Sequence, residues 1–298
     1  MTQADVLIIG GSFAGLSAAM PLLRARRRVT IIDAGERRNR FAAQAHGVIA
    51  LDGLPPGEIA ARARADVSAY PTLSWVEGRA EAIEAGPAGF TATLADGTTQ
   101  SGARLILATG VTDELPDIPG LAPLWGARVF HCPYCHGYEL GGRPVAVLAT
   151  GPASLHQAQL IRDWGPVTLI ANGALPLDAD TRAALAARDI TIEETPLAQV
   201  APSGATDIML RLADGRALTF AGLFTAPPQR PSSDFAARLG CEMIAGPTGP
   251  LVRTDAMQAT SHRHVFACGD AAGPQSLPFA IGTGTMAGTA AHRSLLFP

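Results

Sequence analysis

Asp5-Val-Leu-Ile-Ile-Gly10-Gly-Ser-Phe-Ala-Gly15-Leu-Ser-Ala-Ala-Met20 runs from an apolar stretch through a small-residue turn into a helical pattern. Residues 5–9 have the continuous apolar character of a parallel strand buried on both faces. Gly10-Gly11-Ser12-Phe13-Ala14-Gly15 makes a tight turn, and Leu16 to Met20 reads as helix. The next apolar run, Val29-Thr30-Ile31-Ile32, ends on Asp33, about 20 residues further on. Strand, glycine turn, helix, strand and acid in this register form the fingerprint of a dinucleotide site. Backbone N–H groups at the helix start face a pyrophosphate, and the acid accepts from ribose hydroxyls. Ser12 stands where the second glycine of the fingerprint belongs and is small enough for the close approach. Gly10, Gly11, Ser12, Ala14, Gly15, Asp33 and the following Ala34 are therefore the expected dinucleotide contacts.

The same layout returns later. Val145-Ala-Val-Leu148 leads into Ala149-Thr150-Gly151-Pro152-Ala153-Ser154, and Val167-Thr-Leu-Ile170 answers the strand at Val29. The decisive positions are poor, however. Ala149 replaces the first glycine, only Gly151 remains of the phosphate-hugging set, and Ala171-Asn172-Gly173 stands where the acid belongs. NAD and NADP both lose their usual anchor, so the expectation is a retained fold with nicotinamide binding weakened or lost.

Between the two copies lies Cys132-Pro-Tyr-Cys135-His136-Gly-Tyr-Glu139. Two cysteines three positions apart can close a small disulfide or open to a dithiol. His136 can give or take the proton that this exchange requires. Half of a zinc site and a plain structural disulfide are the alternatives. Zinc needs four ligands, usually from two such pairs, and Cys241 and Cys268 are isolated in sequence and read as small core residues.

Residues 36–58 are rich in glycine, proline and arginine, a long connection of the kind that covers a ligand; Asn39 and Arg40 belong to it. Thr109-Gly110 closes a strand with small residues that let backbone approach a ligand. His264 to Gly269-Asp270 is a strand ending in an acid, followed by a small-residue helix from Gly282. Asp270 offers a carboxylate to a ribityl hydroxyl, and the helix start offers its positive end to a flavin carbonyl.

Composition excludes other classes. Of 298 residues, 47% are hydrophobic and 16% charged, with a net charge of −3, which is globular and carries no field for nucleic acid. No apolar run reaches the ~18 residues of a membrane span, and four cysteines in a chain this long are no secreted disulfide framework. A reducing cytoplasm is the expected location.

These motifs, in this order along nearly the whole chain, resemble the low-molecular-weight thioredoxin reductase family. The resemblance implies an α/β fold of two Rossmann-like dinucleotide-binding domains, each a three-layer ββα arrangement. A discontinuous FAD domain (1–112 and 244–298) would hold an inserted domain (113–243) carrying the redox pair. It also implies a homodimer, with Cys135 facing the flavin and Cys132 exchanging with substrate. His136 stands where that family has an aspartate, and Gln275-Ser276-Leu277 replaces its Arg-Gln-Ala. The Cys-x-x-Cys-His-Gly-Tyr-Glu pattern looks more like the FAD-dependent dithiol oxidases of gliotoxin or holomycin type, which pass electrons to dioxygen. The expected partner is thus a small-molecule dithiol. The alternatives are a reductase of a thioredoxin-like protein, fed by NAD(P)H or ferredoxin, and a flavin redox sensor without turnover.

Overall fold

The computed structural model describes residues 3–297, and the chain divides into two compact units. The first takes the residues up to Arg40, then Pro55–Thr112, then everything from Arg230 on; the second takes Phe41–Leu54 and Asp113–Gln229. This differs from the expected division in two places. The chain rejoins the first unit at Arg230 rather than 244, because Phe235, Ala236 and Cys241 bury in that unit's core. Residues 41–54, expected to cover the flavin, fold with the second unit.

In the first unit β1 (Ala4–Ile9) leads through α1 (Phe13–Arg24) to β2 (Val29–Asp33), and α2 (Pro56–Ser68) leads to β3 (Leu73–Glu77). β4 (Ala80–Gly86), β5 (Gly89–Leu94) and β6 (Thr99–Leu107) then form an antiparallel meander. β6 also pairs in parallel with β1, and the late strand Val265–Ala267 pairs in parallel with β6. The strand β3 around Trp75 lies parallel to β2 at the other edge of the sheet.

The continuous apolar character of β1 has a simple cause. Leu7 and Ile9 join the core shared with Ile83, Phe90 and Leu94 of the meander. Val6 and Ile8 point the opposite way and are also fully buried, with Ile8 close behind the first turn of α1. The last helix, Leu277–Leu296, packs directly on α1. A Cβ added at Gly284 or Gly288 would stand 2.2 or 2.1 Å from the carbonyl oxygens of Ala14 and Ala18, so backbone meets backbone there.

The second unit repeats the design. Its five-stranded sheet is all parallel, in the order Thr191–Glu193, Val167–Ile170, Val145–Leu148, Leu223–Thr225, Val129–Phe130. Val145 and Val147 face a core with Ala158 and Ile161 of the helix Ala153–Ile161, whereas Ala146 and Leu148 face the antiparallel sheet of residues 197–220. Each unit is therefore a three-layer ββα domain, as the fingerprint repeats imply. No helix among the described residues is long and apolar enough to cross a membrane.

Candidate active site

The first dinucleotide turn is built on backbone crowding. Gly10 adopts φ +104°, and a Cβ there would lie 2.3 Å from the Ala108 carbonyl oxygen; at Gly15 it would lie 1.8 Å from that of Gly10. Only glycine lets the β1 turn close against the end of β6, which is why Thr109 and Gly110 (φ +68°) sit beside it. Asp33 Oδ1 accepts the Gly11 N–H at 2.9 Å, fixing the acid at the lip of the turn. Ser12 is the N-cap of α1 but makes no capping bond, and no acid lies in the first helical turn, so those N–H groups keep their attraction for an anion.

Gly269 closes on the same helix: its added Cβ would meet that of Ala14 at 2.8 Å, and its N–H donates to Thr283 Oγ1 at 3.0 Å. Beside it Arg38 Nη1 donates to both Asp270 Oδ2 and Gln275 Oε1, each at 2.8 Å. Arg38 was not among the residues expected from sequence, and nothing local marks it off from Arg37 and Arg40. Its partners lie 232 and 237 positions away. Trp75 is a second unexpected neighbour, with its ring 2.4 Å from where a Gly11 Cβ would be. Arg40 Nη1 is turned back to the Arg37 carbonyl, and Ala34 is exposed.

Arg37 Nε, Asn39 Oδ1 and Trp75 Nε1 are buried with no hydrogen-bond partner among the described residues. Buried polar atoms are rarely left so. Together with the crowded glycine turn and the uncapped helix start, they fit a bound FAD, whose pyrophosphate, ribose and ring edge supply acceptors and donors.

The redox pair lies in the second unit. Cys132 is extended and precedes a single helical turn, Pro133–His136. The two Sγ atoms stand 2.8 Å apart without a disulfide. Gly137 is obligatory, since a Cβ there would press to 2.5 Å from the Trp164 ring and 2.7 Å from the Pro133 carbonyl oxygen. Tyr134, largely exposed, meets Trp164 edge-on at 5.1 Å.

His136 stacks on Phe130 with ring centroids 4.5 Å apart, and neither ring nitrogen has a hydrogen-bond partner among the described residues. Burial pushes its pKa below the ordinary 6.5; the Cys132 carbonyl and the Glu139 carboxylate work against that shift, and His46 adds to it. Burial therefore favours a neutral imidazole, one residue beyond Cys135 and four beyond Cys132. No group of three or more metal-ligating side chains forms among the described residues. Cys241 and Cys268 are buried core thiols, and burial pushes Cys268 up to about 12.

The second dinucleotide turn satisfies its own polar groups. Ser154 Oγ, fully buried, accepts the Thr150 N–H at 3.0 Å, and Thr150 Oγ1 donates to the Ala226 carbonyl at 2.6 Å. Where a ribose anchor belongs, Ala171 is buried and Asn172 Oδ1 accepts the Leu197 N–H at 2.9 Å.

Comparison with known proteins agrees with this architecture. Residues 4–284 match the family model for pyridine nucleotide-disulphide oxidoreductases. The chain is 34% identical over 304 residues to the thioredoxin reductase tcpT of Claviceps purpurea, covering 98% of this chain and 94% of that protein. Among solved structures, an oxidoreductase from Agrobacterium tumefaciens superposes with a TM-score of 0.95 at 48% identity, over 100% of both chains. HlmI superposes with a TM-score of 0.93 at 35% identity, over 99% of this chain and 93% of its own.

Proposed function

The chain belongs to the pyridine nucleotide-disulphide oxidoreductase family, a family of FAD enzymes, and from that premise we propose that it oxidises a small-molecule dithiol to its disulfide and passes the electrons to dioxygen. Gly10, Gly11, Ser12, Ala14, Gly15, Asp33, Asn39, Thr109, Gly110, Gly269 and Asp270 would hold FAD. When bound, FAD would supply a two-electron acceptor for the reduced Cys132–Cys135 pair, with dioxygen as the final oxidant and hydrogen peroxide as its product.

The protein's own residues carry the thiol exchange. A substrate thiolate attacks the Cys132 sulfur of the disulfide, forming a mixed disulfide and releasing the Cys135 thiolate. The second substrate thiolate attacks the substrate sulfur of that mixed bond, so the substrate leaves oxidised and Cys132 leaves as thiolate. Two electrons pass from substrate to the pair, which is left as two thiolates, and the two substrate thiol protons go to His136 and to solvent. His136 accepts one of them at a ring nitrogen, which the neutral form favoured by burial allows.

The observation that carries this direction is the second dinucleotide turn, whose N–H and ribose-facing positions are taken up by Ser154, Thr150 and Asn172 of the protein itself. A reductase fed by a nicotinamide is the second reading, favoured by the name of the relative tcpT. Anaerobic mixing of the holoprotein separates them. Dithiothreitol should bleach the flavin and air should restore it with peroxide release, and the Cys132→Ser variant should do neither. Rapid bleaching by NADPH or NADH, with reduction of a thioredoxin-like disulfide, would overturn the oxidase direction.

A further inference from the structure

We propose that His46 is a positioning residue of the redox site, holding the Glu139 carboxylate so that opposing charges balance at the His136 imidazole. The inference deepens the proposed function and rests on its reading of His136 as the proton acceptor.

His46 lies in the segment 41–54, far from the redox motif in sequence but part of the same compact unit. The segment is closed on itself. Ala45 N–H donates to the Leu54 carbonyl, Gly53 N–H to the Ala45 carbonyl, and Gly47 N–H to Asp52 Oδ1 at 2.7 Å. This closure presents the His46 ring between two carboxylates. Nδ1 stands 3.2 Å from Asp52 Oδ2, a hydrogen bond, and Nε2 stands 3.5 Å from Glu139 Oε1, an ion-pair separation. The His46 side chain is 18% exposed, so the pair with Glu139 is partly shielded from water.

Both members act on His136, and in opposite senses. The Glu139 carboxylate favours its protonated form and His46 disfavours it. Elsewhere around the ring, Phe130 covers one face, the helix Ala153–Ile161 brings neutral Gln157 to the His131 carbonyl, and Trp164 packs at Gly137. Arg162 and Asp163, beside Trp164, pair with Asp189 and Arg188 instead. With His46 held beside Glu139 their opposite influences on the ring offset, and burial decides the state of His136 and keeps it a base. Without His46 the bare carboxylate draws a proton onto the ring, and the acceptor is lost at a higher pH.

The test is NMR titration of His136 in the FAD-loaded protein and three variants. His46→Gln should raise the His136 midpoint and Glu139→Gln should lower it, each by roughly half a unit to one unit. The double variant should return near the wild type, and His46→Lys, which restores a cation, should reverse most of the His46→Gln shift. The pH profile of Cys132 alkylation should move with the midpoint. An unmoved midpoint, or shifts of the same sign in both single variants, would overturn the proposal. Glu139 is exposed at the surface, so its variant stands as a test even if a His46 variant folds poorly. Titration of an imidazole does not depend on the direction of electron flow, so it stays readable if the oxidase reading fails.

Discussion

Cys268 has no exposure and its thiol is pushed up to about 12 by burial alone, whereas Cys132 and Cys135 are half-buried on a turn with their sulfurs adjacent. A thiolate is the reacting species, so iodoacetamide at mildly alkaline pH should label the reduced pair in the native protein and leave Cys268 unlabelled until it is unfolded. Mass spectrometry reads this directly. His136 gives a second expectation at this scale. Its folded pKa is depressed by burial, so the neutral base persists as pH falls below 6.5 and is lost only on crossing the depressed value. Dithiol-driven flavin reduction should hold through that range and fall below it. The His136→Ala variant should lose ~100–10,000-fold in rate, the usual cost of removing a general base.

At the scale of elements, two close approaches govern the flavin unit. Gly10→Ala would drive a Cβ into the Ala108 carbonyl at a left-handed φ, opening the turn proposed to receive the pyrophosphate. The purified variant should contain little or no FAD, read from its visible absorbance. Gly288→Val would instead force α1 and the last helix apart at Ala18. Overpacking of this kind costs about 1–3 kcal/mol, visible as a lower Tm with the flavin retained. The Gly10 turn and α1 were legible in the residues, because a βαβ fingerprint is a local pattern of strand, small residues and helix; the last helix, expected from Gly282, begins at Leu277, where the Ser276 side chain caps it by accepting the Phe279 N–H. The strand at Trp75 was not legible. Its parallel pairing with β2 depends on α2 carrying the chain back across the sheet, and a short apolar run carries no sign of its partner's direction.

For the whole molecule, the contrast between the two dinucleotide turns predicts unequal ligand linkage. Adding FAD to apoprotein should raise its Tm, since a ligand at 100-fold its Kd contributes about 2.7 kcal/mol. NADPH or NADH added to the holoprotein should leave Tm unchanged, and differential scanning fluorimetry distinguishes the two. By themselves, the residues determined that the chain holds two Rossmann-like copies with a Cys-x-x-Cys turn between them; each is written within some thirty consecutive positions, the span of one βαβ unit. Tertiary structure alone decided that residues 41–54 fold with the second unit, that the first resumes at Arg230, that Arg38 holds Asp270 and Gln275, and that His46 faces Glu139. Those pairings join residues far apart in the chain. They are set by which surfaces remain to be covered once the sheets have formed, and no local periodicity records that.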